Sequence, residues 1–107
     1  MTHDEAALSL AELGNSSRLA IFRYLVKAGH EGVPVGDIQR SLAIPGSTLS
    51  HHLTKMAHAD LIIQDKKGRS ICCKPNFPHL EKLMDYLKEE CCQGHQPPET
   101  ETNSCDC

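Results

Sequence analysis

The stretch from Pro45 to Leu61, PGSTLSHHLTKMAHADL, constrains the fold of this chain more than any other. If it is helical, apolar residues recur along one side at positions i, i+4, i+7 and i+8, which are Leu49, Leu53, Met56 and Ala57. This spacing predicts a helix with one buried side. The opposite side carries hydroxyls, imidazoles and a lysine, and no carboxylate occurs before Asp60. Such a surface suits a polyanion that offers hydrogen-bonding groups.

A shorter helix is predicted immediately before this one, over Val35–Leu42. Only the three residues 43–45 separate its end from Gly46, so the two helices must be joined by a tight turn. This spacing is typical of a helix-turn-helix.

The rest of the pattern predicts a small domain around these two helices. We expect a first helix over Asp4–Leu13, a second over Ser16–Ala28, a loop over His30–Val35, a hairpin of strands Leu61–Ile63 and Ser70–Cys73, and a fifth helix over Pro78–Cys92. The expected fold is mainly α with a small β-hairpin wing, in the order ααααββα. Residues 1–92 would form one winged-helix domain for DNA binding and dimerisation, and residues 93–107 a flexible tail that contains cysteine.

Charge is unevenly distributed along the 107 residues. The whole chain has 11 Lys and Arg against 14 Asp and Glu, but residues 45–75 hold five Lys and Arg against two acids. A nucleic acid would meet this local basic patch, so the overall acidity does not exclude it as a partner. The sequence has neither a signal peptide nor an apolar run long enough to span a membrane, which predicts a cytoplasmic protein without a membrane partner.

Six cysteines occur in three close groups: Cys72-Cys73, Cys91-Cys92 and Cys105-Asp106-Cys107. In the reducing cytoplasm such groups favour reactive or metal-ligating thiols over a disulfide framework. Cys72 and Cys73 lie on a predicted strand, so their side chains should point to opposite faces, one into the core and one outward.

Three segments together resemble the ArsR/SmtB family of winged-helix transcriptional repressors. They are LGNSSRLAIFRYL in the second helix, STLSHHLTKM in the fourth and DLIIQDKKGRSI across the hairpin. The resemblance covers about residues 5–92. It implies a homodimer built from the first and fifth helices, which binds double-stranded operator DNA at an imperfect inverted repeat and is released by an inducer. An enzyme is not expected, because the sequence shows no Gly-rich phosphate loop and no nucleophile with a placed base.

The candidate DNA contacts lie on the fourth helix and the hairpin turn. Ser47, Thr48 and His51 can reach base edges in the major groove, with Ser50 on the flank of the same surface. Phosphate or minor-groove contacts are expected from His52, Lys55, Lys66, Lys67 and Arg69. The alternative is that these hydroxyls and imidazoles form an ordinary solvated surface.

The cysteines suggest which signal the protein senses. The third helix lacks the LCVCD pattern of one group of arsenite sensors, since residues 33–37 read VPVGD, and the fifth helix lacks the pattern of the zinc sensors. Cys91 and Cys92 instead resemble the arsenical repressors with cysteines at the end of the fifth helix. Trivalent arsenic as arsenite, and also antimonite, would bind these thiolates with Cys105 or Cys107 as a third ligand. Methylarsenite needs only two thiols, so Cys91 and Cys92 alone would suffice for it.

Other interpretations of the thiols remain open at the level of sequence. Cys91, Cys92, Cys105 and Cys107 could together hold zinc or cadmium, because four thiolates suit tetrahedral coordination. The pair at 91–92 could also respond to oxidation or to persulfide, or Cys91 could be a small buried apolar residue. A protein that buffers metalloids without binding DNA is a further alternative.

Overall fold

The computed structural model describes residues 1–95 and forms a winged helix-turn-helix of five helices and a small antiparallel sheet. Residues 96–107, which include most of the predicted tail, lie outside the described part. The elements are α1 His3–Leu13, α2 Ser16–Ala28, β1 Val33–Pro34, α3 Val35–Leu42, α4 Gly46–His58, β2 Ile62–Lys67, β3 Ser70–Pro75 and α5 Phe77–Leu87. The predicted fold class is therefore confirmed. None of these helices is long and apolar enough to cross a membrane.

Polar side chains at the helix starts explain where α1, α2 and α5 begin. Thr2 and Glu5 form a reciprocal capping box at α1, in which each side chain bonds to the other's backbone. The side chain of Asn15 accepts from the backbone N–H of Arg18, and that of Asn76 accepts from His79. Each cap satisfies a backbone donor that has no partner within its helix.

The turn between α3 and α4 depends on one residue with left-handed backbone geometry. Ala43 has φ 52° and ψ 44°, and its N–H bonds to the carbonyl of Gln39. This conformation ends α3 and reverses the chain within a few residues, so that α4 can begin at Gly46. The predicted tight turn is confirmed.

The sheet contains a strand that the sequence pattern did not reveal. Its order is β1-β3-β2, and Val33 pairs with Cys73 while Pro34 pairs with Cys72. The prediction of a loop over residues 30–35 was wrong at these two positions. The short strand forms because the buried side chain of Val33 packs beside the buried Cys73.

One core, drawn from α2, α3, α4 and the sheet, holds α4 in place. Its fully buried side chains are Ile21, Leu25, Ile38, Leu49, Leu53, Met56, Leu61 and Cys73. Three of them come from the apolar stripe predicted for the fourth helix, and Ala57 of that stripe is half-buried. The core therefore fixes which side of α4 faces outward.

Helix α5 is shorter than the sequence pattern predicts. It ends at Leu87, and Glu89 makes only a tight-turn bond to the carbonyl of Tyr86. Cys91 and Cys92 are exposed beyond the helix, so the prediction of a fifth helix that reaches Cys92 is wrong over residues 88–92. Two effects explain the early end. Glu89 and Glu90 would place acids at the negative end of the helix dipole, and within residues 1–95 no core side chain lies beyond Leu83 to hold another turn.

Candidate nucleic-acid interface and thiol pair

The outward side of α4 presents a polar surface without acids in its first turn. Five of the predicted contact residues lie exposed there: Ser47, Thr48, Ser50, His51 and Lys55. Because Leu49, Leu53 and Met56 anchor the opposite side in the core, this surface cannot rotate inward without breaking the packing. Hydroxyls, an imidazole and a cation on a rigid helix can read base edges and bind phosphates.

His52 differs from the other predicted contacts because it is half-buried and has a protein partner. Its Nδ1 lies 3.3 Å from Nη1 of Arg18, which belongs to α2. Burial is the main cause that lowers the pKa of His52, and the positive charge of Arg18 adds to the effect. His52 is thus predominantly neutral at pH 7, so its predicted phosphate contact would come from the N–H of a neutral imidazole.

Arg18 itself is anchored at the corner between α1 and α2. Its Nε donates to the carbonyl of Glu12 at 2.8 Å and lies 3.2 Å from Oε2 of the same residue. Both side chains are largely buried, with exposures of 12% and 16%. This cluster was not predicted from the sequence. The available signal was that Arg18 stands three and four residues before the buried Ile21 and Phe22, on the inner side of α2.

The hairpin turn brings together the other predicted cations. Strands β2 and β3 are joined by Gly68 and Arg69, and Gly68 has φ +63°, which favours glycine at this position of the turn. Lys66, Lys67 and Arg69 are all exposed around it. Further down the wing, Lys74 is paired with Asp65 at 3.7 Å and is less available to a phosphate. The turn is therefore the basic end of the wing.

Two of the four predicted thiol ligands can be placed. Cys91 and Cys92 are exposed, and their sulfur atoms lie 3.0 Å apart. The hydrogen bond between the two thiols raises the pKa of Cys91. Cys92 has φ +62°, and the N–H of Cys91 bonds to the carbonyl of Lys88, so the pair sits in a turn. Cys105 and Cys107 lie outside the described residues.

The thiol pair is isolated from other metal-binding side chains over residues 1–95. In that part of the chain, no group of three or more His, Cys, Asp or Glu residues is arranged to hold a metal ion. Cys73 is buried beneath the sheet while Cys72 is half-exposed on its other face, as the strand alternation predicts. Burial raises the pKa of Cys73, which therefore serves as a core residue.

His79 on α5, a residue type found in metal sites, has a structural contact instead. Its Nε2 lies 2.8 Å from the hydroxyl of Ser9 on α1, and Ser9 is fully buried. The Ser9 hydroxyl also lies 3.5 Å from the carbonyl of Ala59, at the end of α4. This contact between three helices was not predicted from the sequence.

Known proteins similar to this chain are transcriptional regulators. The family described as "Helix-turn-helix domain" matches residues 13–65. The regulator NmtR of Mycobacterium tuberculosis is 30% identical over 81 residues, which span 76% of this chain and 65% of NmtR. The regulator YbzH of Bacillus subtilis is 33% identical, with 73% of this chain and 90% of YbzH covered.

A solved structure supports the same assignment at the level of the fold. An ArsR-like transcriptional regulator from Rhodococcus sp. RHA1 superposes with a TM-score of 0.71 and 22% identity, covering 80% of this chain and 78% of that one. The superposed part of this chain includes the helix-turn-helix and the wing described above. The chain therefore belongs to the helix-turn-helix transcriptional regulators, and its fold is that of an ArsR-like winged-helix regulator.

Proposed function

We propose that this protein is a cytoplasmic repressor that binds operator DNA as a homodimer and releases it when trivalent arsenic binds its thiolates. Cys91 and Cys92 would supply two sulfur ligands, and Cys105 or Cys107 the third. Antimonite would act in the same way. The observation that carries the proposal is the exposed pair of thiols with sulfur atoms 3.0 Å apart. The proposed action is binding and release, without catalysis.

The position of the pair supports its role as a sensor. Cys91 and Cys92 lie in the turn four and five residues after the end of α5, and α5 packs against α1, the other helix expected at the dimer interface. A soft ion that binds both thiolates would restrain the turn after α5 and, through it, the placement of the two α4 helices in the dimer. Coupling of this kind typically changes DNA affinity by about 5–150-fold.

The DNA-binding half of the proposal rests on α4 and the wing. In a symmetric dimer, two copies of the acid-free surface of α4 would enter successive major grooves of an inverted repeat. Lys66, Lys67 and Arg69 at the hairpin turn would contact the backbone or the minor groove. An inverted repeat is expected because the dimer presents the same surface twice.

The test is fluorescence anisotropy of the reduced full-length protein on a labelled duplex from upstream of its own gene. We expect micromolar arsenite to release the protein, and the variant Cys91→Ser/Cys92→Ser to bind DNA normally but to resist release. Cys72→Ser is the matched control, because this half-exposed thiol lies on the sheet and should leave the response intact. Binding followed by release with zinc, cadmium or an oxidant alone would overturn the arsenic assignment.

A thiol-oxidation sensor is the second candidate, favoured by the same short distance between the two sulfur atoms. A zinc or cadmium site would need both Cys105 and Cys107, since residues 1–95 bring only two thiols together here. Titration of the free thiols separates the arsenic sensor, the zinc or cadmium sensor and the oxidation sensor. Arsenite should occupy three thiols, zinc four, and an oxidant should act without any metalloid. Failure to bind any DNA specifically would instead favour a metalloid-buffering protein.

A further inference from the structure

The contact between Arg18 and His52 joins the DNA-reading helix to the corner between α1 and α2. Arg18 bonds to Glu12 at the end of α1 through Nε, and the N-cap Asn15 accepts from its backbone N–H at 3.1 Å. Its Nη1 then reaches His52 on α4 at 3.3 Å. The largely buried guanidinium of Arg18 therefore joins the end of α1 to α4, while its backbone N–H bonds to the N-cap of α2.

The chemistry of the two groups fixes the protonation of His52 in this contact. A guanidinium has only hydrogen-bond donors, so Nδ1 of His52 must be the acceptor. The imidazole then carries its single proton on Nε2 and is neutral. Protonation of Nδ1 would place two donors and two positive charges against each other at 3.3 Å, and the contact would open.

We propose that Arg18 is a positioning residue for DNA binding, which acts through neutral His52 to hold α4 in the orientation that enters the major groove. This inference rests on the DNA-binding half of the proposed function and is independent of the metalloid. Leu49, Leu53 and Met56 fix which side of α4 is buried, whereas apolar packing alone tolerates small sliding and tilting. A directional hydrogen bond between His52 and the α1–α2 corner removes that freedom.

The charges around His52 make the contact sensitive to acid. Arg18, His51 and Lys55 disfavour the protonated form, and only Glu12 favours it. Burial acts in the same direction as the three cations and lowers the pKa of His52 below its ordinary value of 6.5. The contact is therefore intact at neutral pH and is lost as the pH falls through the lowered pKa.

A double-mutant cycle tests whether Arg18 acts through His52. The variants are Arg18→Lys, His52→Ala and the combination, each measured by anisotropy on the upstream duplex without metalloid. Arg18→Lys keeps the charge beside Glu12 but shortens the side chain and removes the planar group. We expect it to weaken DNA binding by about tenfold, the worth of one charge-assisted hydrogen bond, and to have little further effect once His52 is Ala.

The opposite outcome of the cycle would be an equal effect of Arg18→Lys with and without the His52 side chain. If Arg18→Lys weakens DNA binding by the same factor in both backgrounds, Arg18 supports the fold in general and the inference is wrong. Thermal unfolding of each variant, followed by circular dichroism, restricts the comparison to temperatures at which all four proteins are folded. Absence of specific DNA binding by the unmodified protein would instead reject the proposed function.

DNA affinity measured over a range of pH provides a second test, because a purely structural role of Arg18 would not make that affinity depend on the protonation of His52. His52→Asn places a neutral acceptor near the position of Nδ1 that cannot be protonated, so it should lose the acid-sensitive part of the DNA-binding profile, whatever its affinity at neutral pH. Compared between about pH 7.5 and about pH 5.5, a range that spans histidine titration, the unmodified protein should lose more affinity than His52→Asn. His58→Asn, on the same helix, should lose as much DNA affinity over this pH range as the unmodified protein. Identical profiles for the unmodified protein and His52→Asn would overturn the inference.

Discussion

The buried hydroxyl of Ser9 joins three helices through one side chain. It contacts the imidazole of His79 on α5 at 2.8 Å and lies within 3.5 Å of the carbonyl of Ala59, which follows α4. Polar groups in a dry interior must be hydrogen-bonded, because burial removes their hydrogen bonds to water and an unpaired group does not regain that free energy. Ser9 therefore fixes the relative placement of α1 and α5 more firmly than an apolar residue of similar size.

Replacement of Ser9 by Ala measures this contribution. We expect Ser9→Ala to lower the free energy of unfolding by about 1–2 kcal/mol, because the imidazole of His79 would be left without its partner. Urea unfolding monitored by circular dichroism provides the measurement. Ser17→Ala, an exposed position on α2, serves as the control and should stay within about 0.5 kcal/mol of the unmodified protein. Equal effects at the two positions would contradict the buried-contact interpretation.

At the scale of the element, the helix-turn-helix depends on a short reversal with an unfavourable residue in it. Ala43 adopts the left-handed conformation in which its Cβ approaches the neighbouring carbonyl, a conformation that glycine adopts without this cost. The turn is thus maintained by the packing of α3 and α4 on either side, through Ile38 and Leu49, and not by the preference of Ala43 itself.

Glycine at this position should stabilise the protein. We expect Ala43→Gly to raise the free energy of unfolding by about 0.5–1 kcal/mol. The substitution relieves the left-handed backbone strain of Ala43, and this gain exceeds the extra conformational entropy that glycine loses on folding. Ala20→Gly, at an exposed position within α2, should lower it by about 1 kcal/mol, because there the residue is helical. Thermal or urea unfolding of the two variants checks the opposite signs, and a decrease for both would show that the turn carries no strain.

The same elements show what could be predicted from the sequence and what could not. The core-facing side of α4 follows from local spacing, because Leu49, Leu53 and Met56 recur at the helical period. The end of α5 does not, since Cys91 continues that period although no core lies beneath it. The strand at Val33 is too short to give a pattern and depends on its partner Cys73. The contact of Arg18 with His52 joins residues 34 apart in the sequence, so no local sequence pattern predicts it.

At the scale of the whole molecule, apolar side chains remain uncovered on the helices expected at a dimer interface. Met84 and Leu87 on α5 are 55% and 60% exposed, and Leu8 on α1 is 44% exposed. Helices α1 and α5 pack together, with the hydroxyl of Tyr86 2.8 Å from Nδ1 of His3. Apolar area left in water on adjoining helices favours association with a second copy.

Charge at this surface should separate the subunits. We expect Met84→Glu/Leu87→Glu to shift the protein from dimer to monomer in sedimentation-velocity experiments, and to weaken DNA binding because a monomer reaches only one half-site. Ile71→Glu introduces one negative charge at an exposed apolar position on the wing and should leave the sedimentation coefficient unchanged. A dimer that persists in the double variant would place the interface elsewhere.

The two outer strands of the sheet have a consequence for how the protein behaves when it is crowded. Pro34 in β1 has no amide hydrogen to offer to an additional strand, and β2 carries Asp65, Lys66 and Lys67 along the other edge. Both features discourage strand addition by neighbouring chains. We therefore expect the wings of neighbouring molecules to resist pairing edge to edge, although β1 and β2 both lie at the edges of this small sheet.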